Sequence, residues 1–242
     1  MSDILLREAK ELGLELEARQ IALFDSYAGL LLTAGRRAGV TAIASKERVE
    51  QRHFVESLVL AKALLDAGVL GPSVESRVLD AGTGGGIPGL PIKILLPWLR
   101  ISLLDAKQRT AAFLEELLSS LGIDGVEIVV ARAEDAGRDP AYREHFDVVL
   151  ARALAPLPVL LELTFPFLRI GGHLATPKGS GALDEIEASE HALDVLGGAI
   201  ISSDAMRIPG DGHRQRLILV RKTGATPARY PRRAGIPKKR PL

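Results

Sequence analysis

The chain has 242 residues, 25% of them charged and 47% hydrophobic, and it contains no Cys. That length buries one sizeable α/β core with an appendage. The lack of Cys excludes disulfides, thiolate metal sites and a Cys nucleophile, as suits a reducing cytoplasm. The net charge of +1 is unevenly spread: Arg221 to Leu242 holds eight Lys or Arg and no acid, and the other 23 basic residues face 30 acidic ones.

The N-terminal MSDILLREAKELG is charged and amphipathic, and no window approaches the roughly 20 apolar residues of a membrane span. A soluble, unexported, cytoplasmic protein is the expectation, with a monomer as the default. Residues 1–70 contain no strand pattern. Apolar residues recur at helical spacing through IALFDSYAGLLL, and again through VEQRHFVESLVLAKALL after the capping-type Ser45. The spacing predicts two or three helices packed as an N-terminal extension. Residues 71–222 alternate short apolar runs (RVLDAG, RISLLD, VEIVVA, FDVVLAR, GHLATP, GAIISS, RLILV) with the helix-like PGLPIKILL, RTAAFLEELLSSLG and LPVLLELTFPFL. Alternation of this kind predicts an α/β fold, a mostly parallel sheet with helices on both faces. The last two strands are joined by a loop with PGDGH, which allows the final strand to run antiparallel. Residues 223–242 form a basic, Pro-rich tail that reads either as a phosphate-binding segment or as a solvated end.

The sharpest local signal is the run from Val78 to Gly89, VLDAGTGGGIPG. An apolar strand enters a glycine-rich turn, and a helix follows, with Pro88 and Pro91 where a first turn tolerates them. Glycines let backbone approach a ligand, and a helix N-terminus adds unpaired N–H donors. Asp80 chooses among ligands. An acid two positions before Gly82 repels a pyrophosphate but suits a ligand with a cationic amine, such as S-adenosylmethionine. The pattern D-x-G-x-G-x-G resembles the first motif of class I methyltransferases.

Leu103-Leu104-Asp105 ends the second strand with an acid 23 residues after Gly82. There it can accept from both ribose hydroxyls, or cap the helix that begins near Gln108. The third strand ends in Ala131-Arg132-Ala133-Glu134-Asp135. In the methyltransferase layout that corner faces adenine, with backbone from Ala133 and a carboxylate from Glu134. The fourth strand ends in Arg152-Ala153-Leu154-Ala155, where enzymes acting on exocyclic amines often carry an Asn/Asp-Pro-Pro-aromatic turn. Its absence suits an acceptor nitrogen with no proton to lose, such as guanine N7. Transfer to N7 needs no general base, so catalysis rests on in-line alignment and exclusion of water. Arg152 is the candidate catalytic residue, holding the base edge through O6 or gripping the cofactor carboxylate.

The whole chain resembles the small-subunit rRNA guanine-N7 methyltransferase G family, also called GidB. The matching residues are Arg52-His53-Phe54-Val55-Glu56-Ser57, Asp80 to Gly89, Leu103-Leu104-Asp105, Arg109 with Phe113-Leu114, Phe146-Asp147, Arg152-Ala153, Pro177-Lys178-Gly179 and Tyr230-Pro231-Arg232-Arg233-Ala234-Gly235. The resemblance implies a Rossmann-like, seven-stranded class I methyltransferase core with an N-terminal helical extension, acting on 16S rRNA or the small ribosomal subunit. It also implies that Asp80, Gly82, Thr83, Gly84 and Ile87 bind S-adenosyl-L-methionine at the glycine loop. Asp105, Ala106 and Lys107 would hold its ribose, Ala133 and Glu134 its adenine. Arg152 would stand at the reaction centre, and Arg52, His53, Arg109 and Lys178 would face RNA.

Departures from the family pattern fall at Gly39-Val40-Thr41, where the family has Asn-Leu-Thr after a Trp that is absent here, and at Thr110, where a basic residue is common. The late Arg of the last strand is Arg214 or Arg216. Rival functions are an NAD-type oxidoreductase, a methyltransferase for another RNA, a protein or a small molecule, and a non-enzymatic RNA-binding protein. Against the first stand Asp80 and the lack of a placed hydride-transfer partner. With five scattered His and no Cys, no metal-ligand cluster is visible.

Overall fold

The structure, a computed structural model, describes residues 3–72, 76–208 and 215–242. Seven strands form a single sheet in the order β3-β2-β1-β4-β5-β7-β6. They are β1 (Arg77–Ala81), β2 (Arg100–Asp105), β3 (Val126–Val130), β4 (Phe146–Leu150), β5 (Leu168–Lys178), β6 (Gly198–Met206) and β7 (Gln215–Lys222). The first five pair in parallel, and β7 runs antiparallel to both β5 and β6. The antiparallel final strand anticipated from the sequence is present; the PGDGH loop and Arg214 lie outside the described residues. Four of the five residues of β1 are buried, as a central strand covered on both faces requires.

Chain direction creates the site. From β1 the chain goes outward to β2 and β3, then returns to β4 on the other side of β1 and continues to β5. The β1/β4 boundary is therefore the topological switch point, where loops after the strands diverge and leave a crevice at their carboxyl ends.

The N-terminal extension comprises α1 (Asp3–Glu11) and two long irregular helices. The first, α2 (Ala18–Leu30), continues through a π-helical turn at Leu31–Gly35 and a last turn at Arg36–Ala38. The second, α3 (Lys46–Val49), continues through a π-helical stretch, Glu50–Val55, into Glu56–Asp66. Its N-cap is the anticipated Ser45, whose Oγ accepts from the Arg48 amide. The extension shares one core with the sheet: Phe24, Tyr27, Phe54 and Leu58 are buried with Val78, Leu90, Ile92 and Phe113. Phe54 packs between two rings, with centroids 5.0 Å from Phe24 and 5.1 Å from Tyr27. On this face also lie α4 (Gly89–Leu95) and α5 (Gln108–Leu121).

The opposite face carries α7 (Leu157–Thr164) and α9 (Glu190–Leu196), with the short α6 (Ala133–Ala136) and α8 (Ala182–Glu187) beside them. The basic tail packs here instead of standing in solvent. Thr223 and Gly224 donate to Gly197 O, and Arg143 donates to Thr226 O and Tyr230 O. Arg232 then forks onto the buried carboxylate of Glu162 at 2.9 Å (Nε to Oε1) and 2.5 Å (NH2 to Oε2), and the Arg232 amide adds a third donor at 2.8 Å. Past this anchor the chain closes in α10 (Ile236–Lys239).

A carboxylate that is 1% exposed is tolerated only while its partner stays in place. Arg232→Ala is expected to lower unfolding free energy in urea by about 3 kcal/mol. Adding Glu162→Leu should recover much of that loss, because no buried charge is then left unpaired.

Candidate functional site

A cavity of about 1330 Å³ opens at the switch point. Its walls come from parts of the chain distant in sequence, among them the extension (Arg52, His53, Glu56), the loops after β1, β3 and β4, the end of β5 (Pro177, Lys178) and the tail (Gly235, Pro237, Lys238).

The floor is the glycine loop, shaped by Asp80. This side chain has no exposed surface. Its Oδ2 accepts from Thr83 Oγ1 at 2.6 Å and from the Gly89 amide at 2.9 Å, tying the two ends of the loop together. Gly89 has to be glycine, because a Cβ there would sit 2.9 Å from the same oxygen. Asp80 Oδ1 is buried without a hydrogen-bond partner. Burial, partly offset by the Thr83 and Gly89 donors, pushes the carboxyl up to about 6. Asp80 lies beneath the loop, holds its shape and is not itself part of the cavity wall. Above it, Gly84 has φ +55°, and a Cβ there would meet no atom within 4 Å. Its amide donates to Asp105 Oδ2 at 3.2 Å, and Asp105 Oδ1 accepts from the Lys107 amide at 2.9 Å. Asp105 thus ties the glycine loop to Lys107, the residue that precedes α5, without capping the helix itself.

Tyr27 was not singled out by the sequence, and Glu56 was quoted only within the family-matching run and given no role, since both sit in amphipathic helices. Tyr27, fully buried on α2, donates from its Oη to Gly85 O at 2.6 Å, so the extension fixes the far side of the loop. Arg152, at the end of β4, points back into the extension. Its NH1 donates to Arg52 O at 2.7 Å and lies 3.5 Å from Glu56 Oε2, while NH2 donates to His53 Nδ1 at 3.0 Å. The π-helical stretch of α3 places Arg52 and His53 for this, consistent with the frequent use of such bulges at functional sites. Because Nδ1 accepts from Arg152, the proton of a neutral imidazole lies on Nε2, 3.3 Å from Thr41 Oγ1. Burial and the neighbouring Arg152 push His53 down to about 3. Ala153, the next residue, holds φ +54°, a conformation that costs a non-glycine residue roughly 1 kcal/mol.

Of the residues anticipated from sequence, Gly82, Thr83, Gly84, Ile87, Glu134, Arg152, Arg52, His53 and Lys178 line the cavity. Ala133 begins α6 beside Glu134 but is not part of the wall. Ala106, Lys107 and Arg109 are exposed beyond Asp105, and the Arg109 guanidinium lies within 4 Å of a Cβ built at Gly39. Thr110, where the family favours a basic residue, is buried. Lys178 turns inward: its Nζ donates to Ala155 O at 2.6 Å and pairs with Glu185 Oε2 at 2.8 Å. It therefore braces the loop after β4 instead of presenting a free ammonium. Arg216 is tied to Ser203 Oγ at 3.0 Å on the neighbouring strand β6. Among the described residues no group of three or more His, Cys, Asp or Glu could hold a metal ion, and no helix is long and apolar enough to cross a membrane.

A seven-stranded sheet with an antiparallel β7, a glycine loop after β1 and a cavity at the β1/β4 switch point together define the Rossmann-like class I methyltransferase fold. Solved structures with this fold include cofactor-bound Rv0187 from MTB, 21% identical over 81% of this chain and 89% of that one, with a TM-score of 0.57. Another is the branched-chain polyamine synthase from Thermus thermophilus, 19% identical over 71% and 58%, with a TM-score of 0.53.

Residues 20–209 match the family model GidB, rRNA small subunit methyltransferase G. Curated proteins called ribosomal RNA small subunit methyltransferase G align over nearly the whole chain. That of Roseiflexus castenholzii is 42% identical over 99% of both chains, and that of Pelotomaculum thermopropionicum 36% identical over 100% of this chain and 99% of its own. The chain belongs to this family and is a methyltransferase.

The His53 geometry has a pH signature. Its folded pKa lies below the 6.5 of free His, so the unfolded chain binds the extra proton between about pH 6.5 and 3. Stability therefore falls as pH drops through that window. Asp80 acts with the opposite sign, losing stability as pH rises from 3.8 to about 6. His53→Gln keeps an acceptor for Arg152 and a donor for Thr41 and removes only the His53 titration. In urea unfolding, wild type is expected to lose about 2 kcal/mol more than His53→Gln between pH 7 and pH 5. Equal losses would mean that His53 titrates normally in the folded protein.

Proposed function

We propose that this methyltransferase transfers the methyl group of S-adenosyl-L-methionine to N7 of a guanine in 16S rRNA, free or within the small ribosomal subunit, acting as a monomer in the cytoplasm. The observation that carries the reading is one cavity that joins a glycine loop built on a buried acid to a β4 end without an amine-accepting turn.

The residues fit the cofactor. Gly84 leaves an open cradle that a Cβ would fill, and Asp80 places an acid with an unpartnered oxygen beneath it, which favours a ligand carrying cationic groups. Gly82, Thr83, Gly84 and Ile87 would line it. Asp105 with Ala106 and Lys107 would hold the ribose, and Ala133 and Glu134 the adenine. When bound, S-adenosylmethionine supplies a methyl group activated by its sulfonium.

The chain's own task is then alignment and desolvation, because N7 offers a lone pair and releases no proton. The cavity wall agrees with this. Its imidazole, His53, has both nitrogens engaged, by Arg152 and Thr41, and burial keeps it neutral. It is built to orient Arg152, not to accept a proton. Arg152, held on three sides, presents a fixed cation at the reaction centre, where it can hold the guanine edge or a carboxylate. Arg48, Arg52 and Lys238 add basic groups around the same opening, suited to phosphates. The relatives' names specify ribosomal RNA of the small subunit as their substrate, which supports the same acceptor here.

The deciding experiment offers 16S rRNA, free and within the small subunit, with radiolabelled S-adenosylmethionine, and resolves the product nucleosides. Label in 7-methylguanosine is expected. Label in another nucleoside, or only in a protein or small molecule, would overturn the acceptor. Arg52→Ala is expected to reduce the slope of log affinity for the RNA against log salt by about one; an unchanged slope removes Arg52 from the RNA surface.

A further inference from the structure

The tail does more than cover the sheet. It leaves β7, crosses α7 through the Arg232–Glu162 fork, and ends beside the loop after β3, towards the other end of the sheet. There the Gly235 amide donates to Glu134 Oε1 at 3.0 Å, linking residues 101 apart. Gly235, Pro237 and Lys238 line the same cavity as Glu134 and the glycine loop.

Glu134 needs such help. It lies on α6, a helix of four residues, far too short to be rigid alone. A Glu side chain fixed in one rotamer gives up roughly 1.5–2 kcal/mol of entropy, so an unanchored carboxylate makes a poor directional acceptor. The Gly235 donor holds one oxygen. The other, Oε2, makes no hydrogen bond among the described residues, and a carboxylate oxygen accepts only. That is the requirement for meeting an exocyclic amine. Gly235 presents its amide from a turn at φ +81°, where a Cβ would meet no atom within 4 Å. Three anchors fix the turn's approach: Arg138 on Pro231 O, Arg143 on Tyr230 O and Arg232 on Glu162.

We infer that the tail turn at Gly235 is a positioning element of the cofactor site, holding Glu134 so that it selects a nucleoside base with an exocyclic amine. The inference rests on the proposed use of S-adenosylmethionine and goes beyond it, because it gives residues 235–238 a part in cofactor selectivity.

Calorimetry on the full chain tests it, with S-adenosylmethionine, S-adenosylhomocysteine and S-inosylhomocysteine, the last of which carries a carbonyl in place of the amine. Gly235→Val perturbs the turn through its backbone angle, a chain ending at Arg233 removes it, and Glu134→Ala removes the acceptor. Each is expected to weaken S-adenosylmethionine binding about tenfold and to erase the preference for the adenosyl over the inosyl ligand. Gly235→Val combined with Glu134→Ala should be no weaker than either alone, and Lys239→Ala should bind as wild type does. If the shortened chain fails to fold, Gly235→Val carries the test. Wild-type affinity and preference in Gly235→Val, or losses that multiply in the double variant, would overturn the inference. Failure of the intact chain to bind S-adenosylmethionine at all would overturn the proposed function, and this inference with it.

Discussion

Asp80 is a carboxylate with no exposed surface and one oxygen left without a partner. A buried acid is costly unless donors surround it, and here the donors come from the loop it supports. Thr83 and Gly89 stand at the two ends of that loop, so satisfying the acid also fixes the loop's shape. Much of the site follows from this one constraint. The fixed loop offers Gly85 O to Tyr27, which docks the N-terminal helices, and offers the Gly84 amide to Asp105, which ties it to Lys107 just before α5.

Neither terminal segment is an accessory to a finished core. The extension reaches the site through Tyr27, Thr41, His53 and Glu56, and converts Arg152 from a flexible surface cation into one held on three sides. The tail reaches the opposite wall through Arg232 and Gly235. The sheet and its loops supply the crevice and most of its chemical groups, and the two segments hold those groups in place. This division agrees with a reaction that asks for placement instead of proton transfer.

The fold was largely legible because its signals are local. Apolar runs of strand length alternating with helical periodicity gave the order of elements, and the run from Val78 to Gly89 gave the site's floor. Partners brought together across long separations were not legible. Tyr27 and Phe54 share the helical spacing of any core residue, so nothing marks one of them as a ligand of the glycine loop. Lys178 and Glu185 belong to a strand end and a surface-like helix; only the fold shows that they neutralise each other and brace the loop after β4. In the tail, the basic composition suggested solvent or phosphate, whereas Arg232 spends its charge on Glu162, an acid hidden inside an otherwise apolar helix.

The Arg232–Glu162 fork also sets an order of events during synthesis. Glu162 is made 70 residues before its partner, which at ribosomal rates of 5–20 residues per second is a delay of roughly 4–14 s. During that interval the last three strands, β5 to β7, are made, while α7 carries an acid it cannot yet bury and one wall of the cavity does not exist. A newly made chain therefore passes through a stage in which it has most of its sheet but not its site, and α7 can settle fully only when the tail arrives.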